Sequence, residues 1–154
     1  MTPAVEALES RGYRFTMHLY ASSSGGNYGV NAAEKLALDP EQVFKSLVVD
    51  VEDQDPVIAL VPASRQLNLK RLAKCTGAKR AKLLPRLDAE KVTGYVIGGI
   101  CPIGLKKSLQ VFADTTIERF AKVFISGGKR GLELEMGSGD LLAITNASVS
   151  DIAD

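Results

Sequence analysis

Two apolar runs in this chain end on paired glycines, and that repeated plan restricts the fold more than any other feature. The first is Thr93-Gly94-Tyr95-Val96-Ile97-Gly98-Gly99-Ile100-Cys101-Pro102-Ile103-Gly104-Leu105-Lys106-Lys107, and the second is Ile125-Ser126-Gly127-Gly128-Lys129-Arg130-Gly131. A short apolar run such as Tyr95 to Ile97 reads as a buried strand. Paired glycines then permit left-handed backbone and close approach of another backbone or a ligand. Pro102 fixes its own φ and holds Cys101 extended. Each corner is followed by two basic residues. Turn chemistry with solvated lysines accounts for one such corner. Two in one small domain predict a cleft lined by backbone N–H groups and fringed with cations, suited to phosphates or carbonyl oxygens.

The remaining pattern predicts short elements. Thr2 and Pro3 open a helix that Gly12 ends. A strand over Arg14 to Tyr20 puts Phe15, Met17 and Leu19 on one face. Thr16, His18 and Tyr20 form the other face, which is either solvated or a pocket wall. Ala21 to Gly29 is rich in Ser and Gly and reads as a mobile loop. Asn31 and Glu34 have capping-box spacing, predicting a helix to about Leu38, and Asp39 with Pro40 starts a further turn.

In the strand Phe44 to Val51, Lys45 shares a face with Leu47, Val49 and Val51. A lysine there either snorkels to water or opens into a cleft where its ammonium finds partners. A strand over Val57 to Val61 pairs back. Asn68 caps a helix that runs to about Cys75 and ends at Gly77. The basic run Ala78 to Leu83 reads as a solvated edge strand, with phosphate contact as its other use. Asp88 caps a helix that ends at Gly94. Strands over Leu109 to Ala113, Val123 to Ile125 and Leu132 to Met136 follow, with a short helix over Thr116 to Ala121. Asp140 stands near the start of a last helix, Leu141 to Thr145. It is either a cap favoured by the helix dipole or a carboxylate aimed into a cleft. Val149 to Ile152 adds an edge strand.

Irregular alternation of strands and short helices predicts an α/β fold, a single mixed β-sheet domain rather than a doubly wound parallel one. At 154 residues the chain is read as one domain, 1–154, large enough for a core without disulfides or metal. The net charge of +1 argues against holding nucleic acid by bulk charge, though a local basic patch remains open. Two cysteines and one histidine offer no zinc spacing, so no metal and no cofactor are expected. No secretory leader and no span-length apolar run is visible, so the reading is cytoplasmic, with no membrane contact.

Taken together these motifs are similar to those of the YbaK/EbsC family, aminoacyl-tRNA deacylases related to the editing domain inserted in prolyl-tRNA synthetases. The resemblance rests on Met1 to Val5, Val43-Phe44-Lys45-Ser46-Leu47, Gln66 to Lys70, Thr93 to Gly104, Ser126 to Leu132 and Gly139-Asp140-Leu141. It covers nearly the whole chain and lies nearest the free-standing Cys-tRNA(Pro) deacylase branch. It implies a barrel-like mixed-sheet domain that removes cysteine from mischarged tRNA(Pro) in company with prolyl-tRNA synthetase. It implies further that the substrate thiol attacks its own ester and leaves as a thiolactone.

By the same resemblance Lys45 is the essential cation, with Tyr20 and Asp140 flanking the pocket. Gly98, Gly99 and Pro102 shape an oxyanion corner, and Ser126, Gly127 and Gly128 form the opposite wall. Lys106, Lys107, Lys129 and Arg130 are the candidates for tRNA phosphates. Cys101 stands where relatives carry Ser, which opens a reading with a protein-borne nucleophile. An Ala-tRNA(Pro) hydrolase of the same family and a tRNA- or synthetase-binding module without catalysis also stay open.

Overall fold

Thr2 starts the first helix, α1 (Pro3–Ser10), by accepting a hydrogen bond from Val5 N, with Pro3 in the first turn. In this computed structural model, which describes residues 1–22 and 26–154, eight strands and five α-helices follow the order read from sequence, with shifted bounds. They are β1 (Phe15–Leu19), α2 (Tyr28–Lys35), β2 (Phe44–Val51), β3 (Val57–Pro62), α3 (Leu69–Thr76), β4 (Ala81–Leu83) and α4 (Arg86–Thr93). Then come β5 (Gln110–Asp114), a 3-10 turn (Thr115–Arg119), β6 (Lys122–Ser126), β7 (Leu132–Gly137), α5 (Ser138–Thr145) and β8 (Ser148–Ser150).

The strands divide between two sheets. One is antiparallel in the order β1-β7-β6, and the other is mixed in the order β4-β2-β3-β5-β8. The expected single sheet is thus split, but a parallel bridge between Val43 and Phe124 joins the two at β2 and β6. The main core fills the space between them with α1, drawing on Leu8, Phe44, Leu60 and Leu134. A second cluster packs Leu72 of α3 against Val49, Val51 and Val61 on the other face of the mixed sheet. Covered on both sides, β3 is buried at every position. That explains its unbroken apolar sequence.

Several local expectations need correction. Tyr95 to Ile97 is a turn rather than a strand. The segment closes on itself: Gly99 N donates to Val96 O at 2.8 Å, Ile97 N to Glu90 Oε2 at 2.7 Å, and the Tyr95 hydroxyl to Ile103 O at 2.7 Å. Tyr95 is buried by loop packing while Val96 is exposed, and a short apolar run does not distinguish this state from a strand.

The cap of α2 is Asn27, whose side chain accepts from Val30 N, so Asn31 lies inside the helix. Pro85 occupies the cap position of α4, and Asp88 sits in its first turn. The loop expected over Ala21 to Gly29 falls partly outside the described residues. In β1 the apolar members Met17 and Leu19 are exposed, while His18 and Tyr20 are half-buried. Among the described residues no helix is long and apolar enough to cross a membrane.

Candidate active site

A pocket of about 230 Å³ opens where the two sheets meet. Its floor is the start of β2, from Val43 to Leu47. The N-terminal turn of α2, the first glycine corner and the facing pair Ser126 and Glu133 complete it. This volume lies below the roughly 300–1,000 Å³ of most small-molecule sites, so it suits an aminoacyl group better than a whole nucleotide.

The two glycine corners pack on one another, where the sequence suggested a cleft lined by their N–H groups. A Cβ at Gly99 would lie 2.8 Å from Lys129 Cα. Arg130 Nε donates to Ile97 O at 2.8 Å, and the Arg130 guanidinium sits 4.8 Å from the centre of the Tyr28 ring. Gly98, at φ +88°, presses on the other part of that ring, where a Cβ would come within 2.8 Å of Tyr28 Cδ1. Thr2 supports the second corner from behind, its hydroxyl donating to Gly127 O at 2.6 Å. Gly99 N and Gly127 N are both spent on their own chain, to Val96 O and Leu132 O at 2.8 Å each. Gly98 N has no such partner among the described residues, and it belongs to a residue that lines the pocket.

Three side chains give the pocket its chemistry. Lys45 is half-buried, and burial lowers its pKa from the ordinary lysine value. Glu133 is 4% exposed, and burial pushes its carboxyl up to about 8. At neutral pH this acid therefore carries its proton and leaves the charge of Lys45 uncancelled. Glu133 Oε2 and Ser46 Oγ are buried without a hydrogen-bond partner among the described residues, and both residues line the pocket. Buried orphan polar atoms are costly, and two at one site are suited to pairing with a polar ligand. Tyr20 stands beside this group. Burial first, and nearby Glu133 second, raise its phenol above the ordinary value.

The sequence-derived residues therefore separate. Lys45, Gly98 and Ser126 line the pocket. Gly99, Gly127 and Gly128 form the packed backs of the two corners, and Pro102 is buried in the loop that follows the first. Asp140 does not line the pocket. It is exposed in the first turn of α5, beyond Gly137. Along β7, Gly137 lies about 13 Å from Glu133. Asp140 keeps the helix-terminus role that was its simpler reading.

Lys129 and Arg130 are exposed beside the pocket, Arg130 with one N–H already used. Lys107 instead pairs with Asp55 at 3.3 Å, in the turn that joins β2 to β3. That turn lies about 20 Å from Lys45 along β2, and Lys106 sits beside Lys107. Cys101 is fully buried, and burial pushes its thiol up to about 12. Such a thiol is inert as a nucleophile. The lone His18 is held by Glu135 at 2.9 Å.

Glu133, Ser46 and Tyr28 escaped the sequence reading. Glu133 alternates with Leu132 and Leu134, and alternation alone assigns it to solvent. The available signal was its register opposite His18, on the same face as Tyr20.

Comparison with known proteins shows the family. A family model described as an aminoacyl-tRNA editing domain matches residues 29–144, a span that holds Lys45, both corners and Glu133. EbsC of Enterococcus faecalis, provisionally named a Cys-tRNA(Pro)/Cys-tRNA(Cys) deacylase, is 31% identical over 151 residues, covering 98% of this chain and 92% of EbsC. The proline–tRNA ligase of Brachyspira hyodysenteriae is 28% identical over 101 residues, 65% of this chain but only 18% of the ligase. A crystal structure provisionally described as a trans-editing enzyme for prolyl-tRNA synthetase superposes with a TM-score of 0.85 at 24% identity. It covers 99% of this chain and 95% of the other, a likeness of fold.

Proposed function

The chain belongs to the aminoacyl-tRNA editing family, and from that premise we propose that it removes cysteine from mischarged Cys-tRNA(Pro), using the cysteine thiol as nucleophile. One observation carries this reading. The pocket offers a cation, a protonated carboxyl and a free backbone N–H, while the protein's own candidate nucleophile, Cys101, is buried, inert and not among its lining residues. Such a site holds and polarises an ester without attacking it.

In the proposed reaction the cysteinyl sulfur forms a bond to its own carbonyl carbon and the bond to the ribose oxygen breaks. The thiol proton ends on the ribose, and a thiolactone leaves. Attack within one molecule supplies a large effective molarity, so the protein need only fold the acyl group and meet the developing charge. Lys45 and Gly98 N are the groups to stabilise the oxyanion. Glu133, with a pKa near working pH, is suited to relaying the proton from sulfur to ribose, and Tyr20 borders it. Ser126 faces Glu133 across the β6–β7 register and closes the wall. Lys129 and Arg130 flank the entrance for terminal phosphates. Prolyl-tRNA synthetase, whose relatives carry a similar domain, is the proposed source of the mischarged tRNA.

The test is deacylation of Cys-, Ala- and Ser-tRNA(Pro) by the wild type and by Lys45→Ala. The expected result is cysteine-selective loss of ester that Lys45→Ala abolishes while keeping its fold. Equal rates for cysteine and serine would refute the substrate-thiol step, and preferential loss of alanine would move the chain to the alanine branch. An unchanged Lys45→Ala would refute the site.

A further inference from the structure

A second concavity of about 620 Å³ lies on the far side of the mixed sheet, between α3 and the edge strand β4. Lys70 reaches it from α3, Lys79 and Arg80 from the turn before β4, and Lys82 from β4 itself. All four are exposed, and none forms an ion pair among the described residues. Two carboxylates, Asp50 and Glu52, also line the groove, so four cations face two anions. Lysines alone on a strand edge would be explained as protection against edge pairing. That account does not cover Lys70 on a helix and Lys79 in a turn, converging on the same groove.

We propose that this groove binds the phosphate backbone of tRNA at a site separate from the acyl pocket, an inference that rests on the deacylase reading above. Arg80 and Lys82 stand two residues apart in extended chain, about 6.6 Å, a spacing comparable to that of successive phosphates along a strand. Among the described residues no aromatic side chain lines the groove; its apolar floor is Leu69, Ala73 and Ala81. It therefore lacks a stacking surface for bases and reads charge and shape rather than sequence. The groove begins about 20 Å along β2 from Lys45, so it meets the tRNA well away from the acylated end. Recognition of this kind accepts tRNAs of different sequence, and leaves selection to the acyl pocket.

The experiment is binding of an uncharged tRNA transcript to the full chain by fluorescence anisotropy, between about 50 and about 200 mM salt. The variants are Lys79→Glu/Arg80→Glu/Lys82→Glu and, separately, Lys70→Ala. The triple variant is expected to lose at least about tenfold in affinity at the lower salt. Its slope of log K against log salt should be shallower by about 2 to 3. Lys70→Ala should lower the slope by about 1.

Cysteinyl-adenosine, which fills the pocket and cannot reach the groove, should be deacylated at the same rate by the wild type and the triple variant. Unchanged tRNA affinity and slope in both variants would overturn the proposal. So would variants that keep tRNA affinity but lose binding to polyglutamate, because the groove would then serve an acidic protein. Failure of the wild type to turn over the small ester, with groove-dependent tRNA binding intact, would refute the deacylase reading and leave the groove standing.

Discussion

Replacing Glu133 with Gln should make the protein more stable at neutral pH, by an amount fixed by its burial. The carboxyl is 4% exposed and lies at about 8, against an ordinary value of 4.5. Below pH ~4.5 both folded and unfolded chains hold the proton, and the residue exerts no pH dependence. Between pH ~4.5 and ~8 the unfolded chain has released the proton and the folded chain keeps it. The unfolded state then binds fewer protons, so wild-type stability falls as pH rises. At ~1.4 kcal/mol per pH unit the loss reaches about 3 kcal/mol by pH ~7 and levels off above pH ~8.

Glutamine has no proton to lose and keeps a similar shape. The two titratable neighbours that feel Glu133 lie outside this window, with Cys101 near 12 and Tyr20 above its ordinary 10.0. The assay is thermal unfolding of wild type and Glu133→Gln from pH ~4.5 to ~8.5. For a chain of this length each kcal/mol moves Tm by about 2–4 °C. The gap in Tm should therefore grow by about 6–12 °C toward pH ~7. Parallel curves would refute the claim that Glu133 is a protonated acid in the folded state.

Two further outcomes follow from the site. Gly99→Ala places a Cβ 2.8 Å from Lys129 Cα, against backbone that cannot swing aside. It should cost about 1–3 kcal/mol in denaturant unfolding and depress deacylation by moving the Gly98 amide. Wild-type stability would remove the corner-to-corner contact from the account. A thiol alkylating reagent should label exposed Cys75 in the native protein and reach Cys101 only on unfolding, with turnover unaffected. Inactivation that tracks native labelling of Cys101 would reinstate a protein-borne nucleophile.

Much of this architecture was legible because the deciding signals are local. Thr2, Asn68 and Gly77 act where cap chemistry puts them. The strands β2, β3 and β7 follow their apolar patterns to within a residue. The two glycine corners stood out as well, since they repeat one plan twice, though their packing on one another was not read. Lys45 stood out as a charge on an apolar strand face. What escaped depends on contacts distant in sequence. Glu133 looks like an outward residue until β1 lays Tyr20 and His18 over the same face. Asp140 looked like a site residue because a glycine-flanked carboxylate has the right local chemistry. Its place outside the pocket lining depends on where β7 and α5 carry it, which that local chemistry does not encode. The split of one expected sheet into two is likewise set by which strands meet, information that strand periodicity does not carry.

The meeting of Tyr28, Gly98 and Arg130 has a kinetic consequence. Arg130 and Ile97 are 33 positions apart and Thr2 and Gly127 are 125 apart, so the pocket closes only after long loops have been brought together. Loop-closure entropy makes such contacts late events in folding. The transition state should hold the β2–β3 hairpin before the corners dock, giving φ-values near zero for Gly99 and Thr2. Substitutions there would leave the folding rate nearly unchanged and speed unfolding instead. The lifetime of the native state, rather than the ease of reaching it, is then what the corner contacts govern.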